Sequence, residues 1–238
     1  ELKHRTFAAI AACTLGAVML LAHAAWTPSC SWFGAVDSHA DTTRRAVALT
    51  FDDGPDPAVT PRVLDALKEL GVHATFFVIG ERARAHPELV RRIADEGHLI
   101  GNHSWDHAAL PFRTRNSITA DLTRTQDAIE LACGVRPTWF RPPYGLRDPR
   151  VLDVARELGL RTTLWSSSPR DWQDPGVDTL IERTLSVIEP GDIVLLHDGS
   201  AERAGGHPDT AAALPRLVRE LRERGYEAIR LDEILVHR

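Results

Sequence analysis

The sequence predicts an α/β fold, one large domain built on a mostly parallel sheet. Short strand-like runs alternate with amphipathic segments of about a dozen residues, the pattern of repeated βα units. The strand-like runs are continuously apolar rather than alternating, as expected where both faces of a sheet are covered. The chain has 238 residues, 43% of them apolar, enough for a single substantial core.

Residues 1–25 precede this pattern. Lys3 and Arg5 are followed by an uncharged apolar run, and Ala22 and Ala24 offer the small residues of an A-x-A cleavage site. This predicts a secretory signal peptide or, because the run from Thr6 to Trp26 carries no charge, an uncleaved membrane anchor. Both place the protein outside the cytoplasm, with any membrane contact limited to that anchor. Residues 26–45, with Pro, Ser, Gly and little periodicity, predict a tether. The domain is expected over 46–238.

Within it, 46–51 reads as a strand. Residues 60–71 read as a helix with Thr60 as N-cap, Pro61 in the first turn and Gly71 as stop. Strand 74–80, helix 86–97 and short strand 98–103 follow. Residues 118–134 form a helix, and 138–145 a strand running into a turn. Residues 148–159 repeat the Asp-cap, Pro and Gly-stop pattern. Strand 161–168, helix 177–188 and strand 192–199 continue the alternation. A long helix over 209–225, with Pro215 expected to kink or restart it, and the segment 226–235 close it. The pattern alone fits an open doubly wound sheet or a barrel. No G-x-G-x-x-G follows the first strand, which argues against a dinucleotide site.

Composition narrows the function classes. The net charge is −5, with mixed signs and no Lys/Arg block, so nothing points to nucleic acid. Cys13 would leave with a signal peptide. Cys30 and Cys133 can pair, but two cysteines define no framework, and Cys133 reads as a small hydrophobe near a helix end.

The unusual polar residues collect at C-terminal ends of predicted strands: Asp52 and Asp53, His103 and His107, Arg141 and Tyr144, Asp171 and Trp172, His197 and Asp198. In a parallel barrel those ends share one face, where active sites sit. The stretch "HSWDH" spaces two imidazoles so that one helical turn would put both on one side, able to grip a cation. With a strand-end carboxylate they make a His2Asp set suited to Zn2+ or another divalent transition metal. Adjacent carboxylates repel, and "DDGP" could simply be a turn with an Asx bond and a cap. A cation beside one aspartate offsets the repulsion and leaves the other free as a general base, held ionised by Arg141. His197 is a candidate general acid, against the simpler reading of a satisfied buried histidine. His73, His86 and His98 have no partner pattern, and His207 falls in a Gly-rich loop expected to be solvated.

Assembled, "TFDDGP", "HSWDH", "RPPYG", "RDW" and "LLHDG" occur in the order found in the polysaccharide deacetylases, carbohydrate esterase family 4, whose domain is similar to nodulation protein B. The chain resembles that family from about Ala46 to Leu235. The resemblance implies a distorted (β/α) barrel of about seven parallel strands in a single domain. It implies Asp52 as base, Asp53, His103 and His107 as metal ligands, and Arg141 as the residue that fixes the base. It further implies the Tyr144 N–H as an oxyanion donor and His197 as general acid with Asp171 behind it. Trp172 and Leu195 would wall the pocket for the acetyl methyl.

The implied activity is hydrolysis of N-acetyl groups on an N-acetylglucosamine polymer by a monomeric, metal-dependent enzyme. Peptidoglycan, chitin oligomers and an exopolysaccharide all suit it. The same motifs admit an acetylxylan-type O-acetyl esterase. A non-catalytic carbohydrate-binding protein would show damage among these residues, and none is seen. A two-carboxylate glycosidase would not need the histidines. One departure stands out: Ser168 occupies a position where the family often has Asp, three residues before Asp171.

Overall fold

A computed structural model describes residues 14, 16, 19–21, 23–203 and 205–235. Lys3, Arg5, Cys13 and Ala22, which carry much of the signal-peptide reading, lie outside the described residues. Among the described residues no helix is long and apolar enough to cross a membrane.

The strands are β1 (Ala46–Asp52), β2 (Thr75–Val78), β3 (Leu99–Asn102), β4 (Trp139–Phe140), β5 (Arg161–Thr162), β6 (Ile193–His197) and β7 (Glu227–Ile229). All pair in parallel, in the order β5-β4-β3-β2-β1-β6, with β7 on the lower part of β1. The sheet curls into a half-barrel with helices outside. The helices are α1 (Thr60–Leu70), α2 (Gly80–Ala85), α3 (Pro87–Asp95), α4 (Arg115–Cys133), α5 (Pro149–Glu157), α6 (Val177–Leu185), α7 (Pro208–Glu223) and α8 (Leu231–Ile234).

Strand alternation sorts the core into two sides. Val47, Leu49 and Phe51 of β1, Phe76 and Val78 of β2, and Val194 and Leu196 of β6 pack with helical residues such as Leu64, Leu67, Leu214 and Leu217. The other face looks inward. On it Ala48, Phe77 and Ile193 belong to a cluster with Leu231. Along β1 that inner face reads Ala48, Thr50, Asp52, so polarity rises toward the C-terminal ends of the strands.

β5 and β6 form no ladder. The gap between them is spanned by single bridges: Ser167 to Val194, Asp37 to Thr163, and His39 to Asp192. The strand expected over 161–168 is therefore laddered only at Arg161–Thr162, because the rest leaves β4 and crosses toward β6. Part of the segment expected as a tether lies in the same gap. Asp37 N donates to Thr162 O, and Ala40 N to Gly191 O. A Cβ on Gly191 would sit 2.1 Å from the Ala40 carbonyl oxygen, so this close approach requires glycine.

Helix ends follow the sequence in part. Asp148 Oδ1 caps α5 by accepting from Val151 N at 2.9 Å, and Gly71 ends α1 with φ 60°. Thr60 is not the α1 cap. Asp56 Oδ1 takes the N–H groups of Ala58 and Val59, while the Thr60 hydroxyl turns to Asp198. α2 was not expected, because six residues are too few to display a period. α7 runs on through Pro215 without restarting, since its buried face continues across it at Leu214, Leu217 and Leu221. Cys30 and Cys133 are both free, and Cys133 packs half-buried against the main core.

Candidate active site

Asp52 ends β1 on the inner face. A regular strand would send Asp53 to the opposite face, but Asp53 has φ 71° and breaks the alternation. Both carboxylates consequently reach His103: its Nε2 lies 3.7 Å from Asp52 Oδ2 and 3.4 Å from Asp53 Oδ1. His107 Nε2 lies 3.2 Å from the same Asp53 oxygen. The Asp53, His103 and His107 ligand atoms all fall within 4.8 Å of one another, and all three residues are buried.

This set fits a cation. Asp53 Oδ1 is buried without a hydrogen-bond partner. His103 Nδ1 lies 2.7 Å from the Arg141 carbonyl oxygen, which can only accept, so Nδ1 carries a proton and the Nε2 lone pair is available as a ligand. Burial pushes His107 down to about 4, leaving that imidazole neutral at physiological pH. Burial opposes ionisation of Asp53, but the His103 and His107 imidazoles that face it outweigh burial and hold its carboxyl far below the usual carboxylate range.

The "HSWDH" spacing does not work through a helix. Ser104 and His107 are both left-handed, with φ 65° and 57°, and the segment is a loop held from all sides. Ser104 N donates to Asn102 Oδ1, His107 N to Ser104 Oγ, and Trp105 N to Asp121 Oδ1 of α4. The first turn of α2 also grips it: Gly80 N donates to Ser104 O and Glu81 N to Trp105 O. The Trp105 ring carries the Arg124 guanidinium 3.6 Å from its centroid. Asp121 is a positioning residue that the sequence did not disclose. It sits mid-helix, where an aspartate reads as solvated surface.

Arg141 is fully buried behind Asp52. Its Nη1 donates to Asp52 Oδ1 at 2.7 Å and Thr50 Oγ1 at 2.8 Å, its Nη2 donates to Leu164 O, and the guanidinium stacks over Phe77. Asp52 is thus fixed on one oxygen, with the other turned toward His103. Arg82 ties this loop to the one after β6, donating to the carbonyl oxygens of Asp53 and Ser200.

Across the cleft, His197 ends β6, in register with Asp52 on β1. Its Nδ1 lies 2.8 Å from Asp171 Oδ1, while Asp171 Oδ2 accepts from the His197 backbone N–H and from Thr210 Oγ1. Burial opposes protonation of His197, but the charge and hydrogen bond of Asp171 outweigh it and push the imidazole up to about 9. It is therefore a cation at neutral pH, able to donate a proton. Thr210 is a second residue the sequence did not disclose.

The cleft is about 810 Å3, within the roughly 300–1,000 Å3 usual for ligand sites. Asp52, Asp53, His103, His107, Tyr144, Trp172, Leu195 and His197 line it, and Arg141 and Asp171 stand behind them. Trp172 meets His197 edge to face, and Tyr144 meets His107 in the same way. Ser168 also lines the cleft, its hydroxyl 3.4 Å from the Arg170 N–H.

Two further polar residues behave otherwise. Asp198 is absent from the cleft lining. It is fully buried against Gly54, accepts from the Thr60 hydroxyl at 2.6 Å, and is pushed up to about 7 by burial. A Cβ on Gly54 would come within 2.2 Å of its carboxylate. His207 is not solvated: it is buried beside Asp174 and Arg203, its ring 5.8 Å from that of His197.

Comparison with known proteins follows the same lines. Residues 39–163 match the family model described as polysaccharide deacetylase. A peptidoglycan-N-acetylglucosamine deacetylase of Bacillus cereus is 38% identical, covering 85% of this chain and 93% of its own length. A chitooligosaccharide deacetylase of Sinorhizobium fredii is 41% identical over 76% of this chain and 87% of that protein. The crystal structure of a peptidoglycan N-acetylglucosamine deacetylase superposes with a TM-score of 0.80 at 33% identity, covering 85% of this chain and 94% of the other.

Proposed function

The chain belongs to the polysaccharide deacetylase family, and from that premise we propose that its cleft removes N-acetyl groups from N-acetylglucosamine residues of a polysaccharide, releasing acetate. The observation that carries this reading is the pairing across one cleft. Three converging ligand atoms and an Arg-held carboxylate stand on one side, and a hydrogen-bonded His–Asp pair on the other.

Asp53, His103 and His107 would hold the divalent cation, and neutral imidazoles with one carboxylate favour Zn2+. Such a cation supplies Lewis acidity, polarising the acetamide carbonyl and lowering the pKa of water. Asp52, oriented by Arg141, takes the proton of the attacking water. The Tyr144 backbone N–H donates to the oxyanion that forms on the acetyl carbon. His197 then protonates the leaving amine, with Asp171 holding the ring and its charge. Trp172 and Leu195 enclose the methyl group. The products are acetate and a free amino sugar. A wall or exported polymer places the protein outside the cytoplasm, the location that the N-terminal sequence also favours.

The test is acetate release from N-acetylglucosamine oligomers, peptidoglycan and acetylated xylan, with chelator and then with Zn2+ restored. Acetate from the hexosamine substrates, lost with chelator and regained with Zn2+, is expected. Acetate from xylan alone would make the protein an esterase. Turnover that survives complete metal removal would overturn the metal-dependent mechanism.

A further inference from the structure

Arg147 has no side-chain exposure to solvent, and among the described residues no carboxylate pairs with it. A buried guanidinium needs acceptors. Arg147 finds most of them in the segment that precedes the domain. Its Nη2 donates to the carbonyl oxygens of Thr27 and Cys30, each at 2.7 Å. Its Nη1 lies 3.4 Å from Ala25 O, and its backbone N–H also points to Ala25 O. The remaining acceptor is Gly145 O, in the turn that carries Tyr144. Releasing residues 25–30 would strand this cation, so the segment belongs to the folded domain.

The docked segment brings an aromatic residue to the cleft. Trp26 and Pro28 line it beside Tyr144, Gly145 and Trp165. Trp26 is 64% exposed, so most of its indole is open to solvent at the cleft wall. An indole face offered inside a cleft suits the apolar C–H face of a pyranose ring. Resting on the deacetylase reading, we propose that Trp26, with Pro28, forms a subsite for a sugar unit neighbouring the one deacetylated, and that Arg147 positions it by clamping residues 25–30. Specificity for chain length would then reside partly in a segment outside the (β/α) units.

The experiment measures kcat/KM of the full chain, loaded with Zn2+, on N-acetylglucosamine oligomers from dimer to hexamer, with hexamer affinity read separately by calorimetry. Trp26→Ala is expected to reduce the gain in kcat/KM between dimer and hexamer by roughly three- to tenfold, mainly through KM. Trp26→Phe should restore much of it. Trp32→Ala, exposed but outside the cleft, should leave the gain intact. Arg147→Met should reproduce the Trp26→Ala length dependence, the KM-weighted loss separating positioning from general destabilisation. If it does not fold, the Trp26 variants still decide. A length gain unchanged in Trp26→Ala would overturn the proposal. If the unsubstituted chain binds hexamer without releasing acetate, the deacetylase reading falls while the subsite is judged by the hexamer affinity of Trp26→Ala. If hexamer neither binds nor reacts, both fall.

Discussion

Asp52 and Asp53 are neighbours in sequence, yet their surroundings divide them. Asp52 is held by a guanidinium, Asp53 faces two imidazoles, and the left-handed backbone at Asp53 lets both serve one cleft. The division predicts different losses. Asp52→Asn keeps an acceptor for Arg141 but removes the base, so acetate release should fall by about 10²–10⁴ while bound metal, counted by mass spectrometry, is unchanged. His103→Ala should lose metal and turnover together. Full activity in Asp52→Asn would remove Asp52 as base.

His197 makes a pH prediction at the same scale. Its folded-state value near 9 exceeds the ordinary 6.5. The stability it contributes to the metal-free protein is therefore full below about 6.5 and lost as pH rises through about 9. Denaturant midpoints at either side of that window should show the fall. In the loaded enzyme a nearby cation repels the imidazolium, so the alkaline limb of activity should lie at or below about 9. Asp171→Asn, which removes the largest influence sustaining the charge, should shift that limb to lower pH. An unmoved limb would mean that another group supplies the proton. The residue types in this chemistry were legible in the sequence. Their backbone was not: Asp53, Ser104, His107, Tyr144, Arg170 and Asp174 all have positive φ, clustered around the site, and non-glycine residues give no warning of it.

At the scale of elements, the ligand loop after β3 depends on a helix that never touches the cleft. Asp121 of α4 accepts from Trp105 N at 2.8 Å and pairs with Arg113 at 2.6 Å. Asp121→Ala would leave the Trp105 N–H without its acceptor and free the turn between His103 and His107. Metal affinity should drop by about 10–100-fold, as when outer-shell partners of metal ligands are removed, without loss of any ligand. Competition with a chromophoric chelator measures it, and wild-type affinity would show that the loop holds itself. Strand ends and amphipathic helices were legible here because burial imposes a period on them. The helical reading of "HSWDH" failed because spacing alone cannot distinguish a helical turn from a loop pinned by Asn102, Ser104 and Asp121.

At the scale of the whole molecule, the βα alternation revealed the parallel sheet, and the motif order revealed its curl into a barrel. How the curl is completed was not legible, since the chain over 26–45 has the composition of a tether. Its hydrogen bonds to Thr162 and Gly191 are made by backbone, which leaves no mark on side-chain pattern. The closure can be tested at Gly191, where φ is 94° and a Cβ would meet Ala40 O, against Gly176, where φ is 83° and a Cβ would meet nothing within 4 Å. Both Gly→Ala changes carry the backbone strain, and only Gly191→Ala carries the collision. Gly191→Ala should therefore be the more destabilising by about 1–3 kcal/mol, read from denaturant midpoints. Gly191 precedes β6, at the end of the sheet away from the cleft, so kcat of the folded variant should stay near wild type. Equal midpoints for the two variants would mean that residues 37–40 contribute nothing to closing the barrel.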